Sequence, residues 1–368
     1  MKKRSWFAKI VLLPCSKIYG AITYMRNKFF DWKIFKEVEF DVPVITVGNI
    51  AVGGTGKTPH VEYIITAFKQ THHIAVLSRG YRRDTKGFVM AGRTSTPRDI
   101  GDEAYQIYHK FNGEVVVAVC EDRVVGIEEL LRIDPKISLI VLDDAFQHRY
   151  VKPAISIVVT EYNYPLSEDK MLPYGRLREP ARGINRADMV VVTKCPKGLK
   201  PFDYRSVLND YDLFPSQHLF FSHYSYQPLK PVFPEVATFV PYLDWLTPGD
   251  SILAVAGIGN PRPFVRHIKS FGAKVKVDVF DDHHQYTKKD IDYLFERYKQ
   301  LKGSQRSIII TTEKDAVRLA ANPYFPFDLK AVTYYLPIEV EFESPMGEPP
   351  FENTIAKMLR NYLAQRKQ

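Results

Sequence analysis

Residues 43–60 read Pro43-Val44-Ile45-Thr46-Val47-Gly48-Asn49-Ile50-Ala51-Val52-Gly53-Gly54-Thr55-Gly56-Lys57-Thr58-Pro59-His60. The β-branched run from Val44 to Val47 suits a short strand, and a glycine-rich loop follows it. The loop closes on Gly56-Lys57-Thr58. Pro59 then stands in the first turn of an expected helix, where its missing N–H is not needed. Strand, loop, Gly-Lys-Thr and helix together make a P-loop. Its backbone, here Val52, Gly53, Gly54, Thr55 and Gly56, cradles phosphates with the helix N-terminus. Lys57 reaches the β- and γ-phosphates, and the Thr58 hydroxyl meets Mg2+. Ala51 occupies the first glycine position of the usual spacing, while Gly53 and Gly54 supply extra backbone freedom. A plain glycine-rich βα turn is the alternative, and it gives no reason for Lys-Thr at this spacing.

Outward from the loop the chain alternates apolar runs with helical patterns. Strands are expected at 73–78, 114–119, 137–142, 154–160 and 188–193, and helices at 58–68, 102–109 and 123–132. Short, continuously apolar strands in βαβ alternation imply a parallel sheet covered on both faces. Residues 219–248 are rich in Pro and aromatics without helical period, and read as an inter-domain connection with a hairpin. A second α/β unit follows, with strands at 252–256, 274–280, 307–311 and 331–336 and helices at 263–269, 288–301 and 314–320. The last helix is expected at 354–366. Gly257-Ile258-Gly259 lacks the third glycine of a dinucleotide fingerprint, Arg262 standing there, and reads as a tight βα turn. The division is an arm at 1–36, a P-loop unit at 37–218, a connection at 219–248, an α/β unit at 249–340 and a helical segment at 341–368.

The chain has 368 residues and a net charge of +9, and the charge is uneven. Residues 1–36 hold nine Lys or Arg and one acid, Asp31, so the arm carries +8 and the rest about +1. A nucleic-acid enzyme places its basic residues around its main groove, so no nucleic-acid partner is expected. Ile18, Ile22, Met25, Phe29 and Trp32 recur at spacings of four and three, one face of a helix, with Lys17, Arg26, Lys28 and Lys33 largely off it. The longest uncharged run in the arm is eight residues, against the ~20 needed to span a bilayer. Lys9 interrupts any signal-peptide core. A helix lying in the interface of an anionic membrane fits; a basic amphipathic helix packed on the protein's own core is the alternative. Three scattered cysteines, Cys15, Cys120 and Cys195, make neither a disulfide framework nor a zinc site and suit a reducing cytosol.

Five further motifs carry chemistry. Ser138-Leu139-Ile140-Val141-Leu142-Asp143-Asp144 is an apolar strand ending in two acids, which repel each other without a cation and can hold Mg2+ beside a P-loop; helix capping is the alternative for Asp144. Gly101-Asp102-Glu103 opens a helix, where capping suffices to explain acids, although a base there would sit where α/β sheets bind ligands. Ser78-Arg79-Gly80-Tyr81-Arg82-Arg83 offers arginines for a phosphate clamp or a solvated turn. The loop from Leu172 to Pro180 carries Arg176, Arg178 and Glu179. Asp281-Asp282-His283-His284 places a His beside a carboxylate, a general-base pattern or a surface loop.

Taken together, Val47-Gly48-Asn49 with the P-loop, Ser78-Arg79-Gly80-Tyr81, Gly101-Asp102-Glu103, Leu142-Asp143-Asp144-Ala145-Phe146-Gln147-His148, Leu172 to Pro180, and Asp282-His283 resemble the tetraacyldisaccharide 4′-kinase family of Gram-negative bacteria. The likeness covers most of the chain in the right order. It implies two α/β/α domains, an N-terminal helix at the inner membrane, and ATP- and Mg2+-dependent phosphorylation of a lipid A disaccharide precursor. It further implies Asp102 as base assisted by His283, with His284 the alternative partner. Lys57 and Thr58 would hold phosphate and metal, with Asp143, Asp144 and Glu179 near the metal. Arg79, Arg123 and Arg178 would contact phosphate or substrate. No obligate protein partner is implied. A GTPase is disfavoured because Thr193-Lys194-Cys195-Pro196 lacks the guanine-reading Asp. A ParA-like ATPase is disfavoured because Val52 stands where its signature Lys would be, and a scaffold leaves the P-loop unexplained.

Overall fold

Successive side chains of a strand point to opposite faces, and in the P-loop strand both sets are buried, with Thr46 the one polar side chain. Ile45 and Val47 enter one core with Val61, Ile64 and Ile65, while Val44 enters another with Ile127 and Leu130. This pattern demands cover on both sides, and the chain supplies it. A computed structural model describes residues 6–237, 240–301, 305–344 and 347–366; Lys2, Lys3 and Arg4 of the basic arm lie outside them.

In chain order, helix α1 (Trp6–Asp31) precedes β1 (Val44–Gly48), α2 (Lys57–Phe68), β2 (Ile74–Ser78), β3 (Val89–Met90) and the short α3 (Pro97–Ile100). Then come α4 (Asp102–Lys110), β4 (Val116–Val119), α5 (Arg123–Ile133), β5 (Leu139–Asp143), β6 (Ile155–Glu161), β7 (Met189–Thr193), α6 (Pro201–Asp210) and β8 (His218–Tyr226). The second unit holds β9 (Lys230–Pro231), β10 (Ser251–Ala256), α7 (Arg262–Lys269), β11 (Lys274–Val279), α8 (Lys288–Lys299), β12 (Ser307–Thr312), α9 (Glu313–Ala320), α10 (Phe327–Lys330) and β13 (Thr333–Leu336). The chain then returns through β14 (Ile338–Glu343) and α11 (Phe351–Arg366).

Among the described residues the first sheet runs β14-β8-β7-β6-β1-β5-β2-β4-β3 and the second β11-β10-β12-β13-β9. All pairings from β4 to β8 are parallel, and only the edge strands β3 and β14 are antiparallel. The fold is α/β, with the P-loop strand between β5 and β6. Parallel strands put their C-terminal ends on one edge, and that edge is where such sheets bind ligands.

The residues read as a connection at 219–248 divide differently. Their first part is β8, whose Phe220 and Phe221 enter cores on opposite faces of the first sheet; the aromatic richness is strand alternation. The boundaries at 340 and 341 also move. β14 pairs with β8, and Phe351, Ile355 and Leu359 of α11 are buried in the first unit's core, at roughly 1.5–3 kcal/mol each. The first unit is therefore discontinuous in sequence. Two antiparallel stretches join the units: β8 with β14, and β9 with β13, bridged by Gln227 N–H donating to the Pro337 carbonyl at 3.0 Å.

Helix α1 turns its apolar stripe outward. Ile18 and Ile22 are each 62% exposed and Trp32 59%. Apart from Phe30, the docked side is largely polar or small: Ser16 donates to the Met171 carbonyl (2.7 Å), and Arg26 to the Gln147 carbonyl (2.7 Å). Arg149 reaches Asp31 at 2.9 Å. Phe30 is buried edge-on against Tyr150. No described helix is long and apolar enough to cross a membrane.

Candidate active site

Three strand ends meet at the C-terminal edge of the first sheet. After β1, the loop turns into α2 through Gly56, whose φ of 95° is left-handed. Glycine is needed there twice over, since a Cβ would also collide with the Tyr224 hydroxyl. The loop is braced from outside. Val52 N–H donates to the Arg176 carbonyl and Arg178 N–H to the Ile50 carbonyl, at 2.8 and 2.7 Å. Lys194, at the end of β7, donates to the Gly54 carbonyl and to Glu161. Asn49 donates to the Thr55 hydroxyl at 2.8 Å.

After β5 come Asp143 and Asp144. Lys57 Nζ lies 3.6 Å from Asp144 Oδ2, and Arg178 donates to Asp144 Oδ1 at 2.9 Å. Burial pushes the Asp144 carboxyl up, but Lys57 and Arg178 outweigh it and hold the group below its usual value. Asp143 behaves oppositely. Burial, then the charges of Glu103 and Asp144, push its carboxyl up to about 7. Its buried Oδ1 has no hydrogen-bond partner among the described residues. Asp144, Lys194 and His283 all adopt left-handed backbone, which is uncommon outside glycine and tends to cluster at functional sites.

After β2, the turn at Gly80 and Tyr81 packs on Gly101, where φ is 83° and a Cβ would lie 3.0 Å from the Tyr81 carbonyl oxygen. This close approach sets Asp102 at the start of α4, at the same edge. Its Oδ2 faces His283 Nδ1 at 3.4 Å, and His283 comes from the second unit. His284 is directed elsewhere, to Asp290 at 3.1 Å. Burial raises the Asp102 carboxyl, yet His283 and Arg318 outweigh it and the group sits below its usual value.

The expected residues do not all converge. Glu179, read as near the metal, is buried but otherwise engaged. It accepts from Asn27 at 3.1 Å, from Gln147 at 3.0 Å, and pairs with Arg186 at 2.8 Å. Gln147 also donates to the Asn49 carbonyl at 2.6 Å, so Glu179 sits in a polar chain running from α1 to the P-loop. Arg123, read as a phosphate contact, is 2% exposed and donates to the carbonyls of Cys120 and Asp143 at 2.6 and 3.4 Å. It braces the end of β5. Arg79 leaves β2 exposed. Among the described residues no group of three or more His, Cys, Asp or Glu side chains is arranged to hold a metal.

The model of the family described as tetraacyldisaccharide-1-P 4′-kinase matches residues 8–360. The chain belongs to this family. It is 48% identical over 337 residues to a tetraacyldisaccharide 4′-kinase of Bacteroides thetaiotaomicron, covering 90% of this chain and 88% of that one. It is 41% identical over 340 residues to a tetraacyldisaccharide 4′-kinase of Flavobacterium johnsoniae, covering 90% and 92%. Its fold matches the crystal structure of the Aquifex aeolicus LpxK kinase in complex with ATP, with a TM-score of 0.70 and 27% identity over 95% of this chain and 98% of that one.

In this family member the sequence reading missed Arg318 and gave Lys194 no place at the loop. Arg318 lies in a short amphipathic helix whose pattern resembles any surface helix. Its partner is 216 positions away, so local spacing carries no trace of it. Lys194 was legible as a Lys after an apolar strand, but its contact with the P-loop depends on β7 lying two strands from β1.

Proposed function

We propose that this chain transfers the γ-phosphate of ATP to the 4′-hydroxyl of a tetraacylated glucosamine disaccharide 1-phosphate, a step of lipid A synthesis at the cytoplasmic face of the inner membrane. The observation that carries this reading is the meeting of Asp102 and His283, from two units, 3.4 Å apart at the sheet edge that also holds the P-loop. The names of the relatives and the ATP complex of the Aquifex aeolicus kinase support it.

The chemistry follows from the residues in place. Amides of the loop and Lys57 bind the phosphates. Asp102, whose carboxyl burial raises but the His283 hydrogen bond and Arg318 hold below its usual value, accepts the hydroxyl proton as the sugar oxygen forms its bond to the γ-phosphorus. The bond from that phosphorus to the β-phosphate oxygen breaks and ADP leaves. His283 orients the carboxylate and stabilises its charge. Phosphoryl transfer asks for such positioning and charge stabilisation more than for covalent chemistry. The Asp143 oxygen without a partner, Asp144 and the buried Thr58 hydroxyl are the residues that would hold a Mg2+. When bound, the cation neutralises phosphate charge.

The acceptor's acyl chains reside in a bilayer. The outward stripe of α1, with the basic residues of the arm beside it, suits peripheral or monotopic binding to an anionic surface. The deciding experiment offers γ-labelled ATP, Mg2+ and the disaccharide lipid in mixed micelles. Label in the lipid is expected; label released only as inorganic phosphate would overturn the reading.

A further inference from the structure

Arg318 on α9 is 4% exposed, and it crosses from the second unit to Asp102 of the first. Its Nε donates to Asp102 Oδ2 at 2.9 Å. Its Nη1 donates to Asp315 Oδ1 at 2.9 Å and to the carbonyls of Gly257 (3.2 Å) and His284 (3.4 Å). Asp315, fully buried, is anchored in turn by Gly257 N–H, Tyr286 and Thr312 at 2.9, 3.1 and 2.6 Å. The guanidinium is thus clamped from behind by the second unit and presents one edge to Asp102. Both contacts on Asp102, from His283 and Arg318, fall on Oδ2. No hydrogen bond to Oδ1 is present among the described residues, so Oδ1 is the oxygen left for the acceptor.

We propose that Arg318 is a positioning residue for phosphoryl transfer, fixing Oδ2 of Asp102 so that Oδ1 meets the acceptor hydroxyl only when the two units are together. The inference rests on Asp102 being the base. The guanidinium shares its charge between Asp102 and Asp315, so it orients the carboxylate without removing all its basicity. The other titratable groups near Asp102 are His283 from the loop after β11, whose carbonyl accepts from Arg82 at 3.4 Å, Glu103 on its own helix, and Lys314 beside Glu103 at 3.2 Å. None of them spans the two carboxylates as Arg318 does.

Two substitutions make opposite predictions for the pH profile of kcat/KM, whose acid limb reports protonation of the base. Arg318→Gln removes a cation from Asp102, so the limb moves to higher pH, and kcat falls about 10- to 100-fold from misplacement with KM for ATP unchanged. Arg318→Lys restores the limb more fully than the rate, because an ammonium keeps the charge but cannot bridge both carboxylates. Asp315→Asn returns the guanidinium charge to Asp102 and moves the limb to lower pH. General loosening of the fold cannot produce shifts of opposite sign, so Asp315→Asn decides the matter if Arg318→Gln folds poorly. The inference fails if Asp102→Asn abolishes turnover while the Arg318 and Asp315 variants leave the limb in place. Should Asp102→Asn keep the wild-type rate and limb, the base assignment itself has failed, and the role of Arg318 falls with it.

Discussion

Lys57 stands in the first turn of α2, 3.6 Å from Asp144, and under the proposed function its point charge serves the phosphates. Lys57→Ala is expected to lower kcat at least ~10²-fold, the scale for removing one preorganised charge. Label transfer to the lipid measures it, and wild-type turnover would exclude the loop from catalysis. Three residues further on, His60 is fully buried between the Gly56 carbonyl (2.8 Å) and the Ser222 hydroxyl (2.9 Å). Burial lowers its pKa to about 4, with Gly56 working the other way. A depressed pKa means that the unfolded chain takes up the proton first. The stability due to neutral His60 is therefore present above about pH 6.5 and is lost as pH falls toward 4. Between pH 7.5 and 5 the loss is about 2 kcal/mol. Urea unfolding at both pH values should show that loss in the wild type and a smaller one in His60→Gln. Equal losses would locate the pH sensitivity elsewhere.

At the scale of the element, α1 both holds the body and faces outward, and the two roles lie on different sides. Arg26 is bonded to Gln147 and Lys28 lies 3.4 Å from Asp31, so reversing those charges would disturb the helix's own contacts. The exposed Ile18 and Ile22 make the cleaner test. Replacing both by Asp removes apolar area from the interface and adds repulsion from anionic lipid. Binding to anionic vesicles should fall several-fold and KM for vesicle-borne lipid should rise, with ATP affinity unchanged. Equal flotation of mutant and wild type would remove the membrane role from this face.

At the scale of the molecule, the two units meet through buried charge. Lys110 pairs with Glu62 of the first unit at 2.7 Å and with Glu313 of the second at 3.1 Å. Burial and then Glu313 push Glu62 up to about 7, while the two carboxylates keep Lys110 firmly protonated. Lys110→Met leaves two buried acids facing each other. Breaking such a pair costs about 3–5 kcal/mol. Glu62 escapes part of that by taking up a proton, so the mutant's deficit should be larger at pH 8 than at pH 6. Chemical denaturation at the two values measures it; a deficit independent of pH would mean that Glu62 does not change its protonation between them. A fall in kcat should accompany the loss, since the same interface carries Asp102, His283 and Arg318.

By itself, the sequence determined everything set by local pattern. The β-branched run, the glycine loop and Lys57-Thr58 specify the P-loop, because backbone freedom and a helix N-terminus are properties of neighbours along the chain. Apolar period marked most strands and helices of the two sheets to within a few residues, but not α6 (Pro201–Asp210) or β14 (Ile338–Glu343). Asp143-Asp144 at the end of a buried strand was legible for the same reason. Tertiary structure decided whatever depends on which distant segments share an edge. It made β8 and β14 partners in the first sheet, although the aromatic run at 219–226 lies beside prolines and reads alone as a connection. It bonded Glu179 to Asn27, Gln147 and Arg186, a result of loop path that no spacing encodes. It directed His283 rather than His284 toward Asp102, since neighbouring side chains leave the backbone in different directions and only the docking of the second unit selects one. It also brought Arg318 to Asp102 across 216 positions. Hydrogen bonding acts over about 3 Å in space, and separation along the chain records no such distance until the fold is closed.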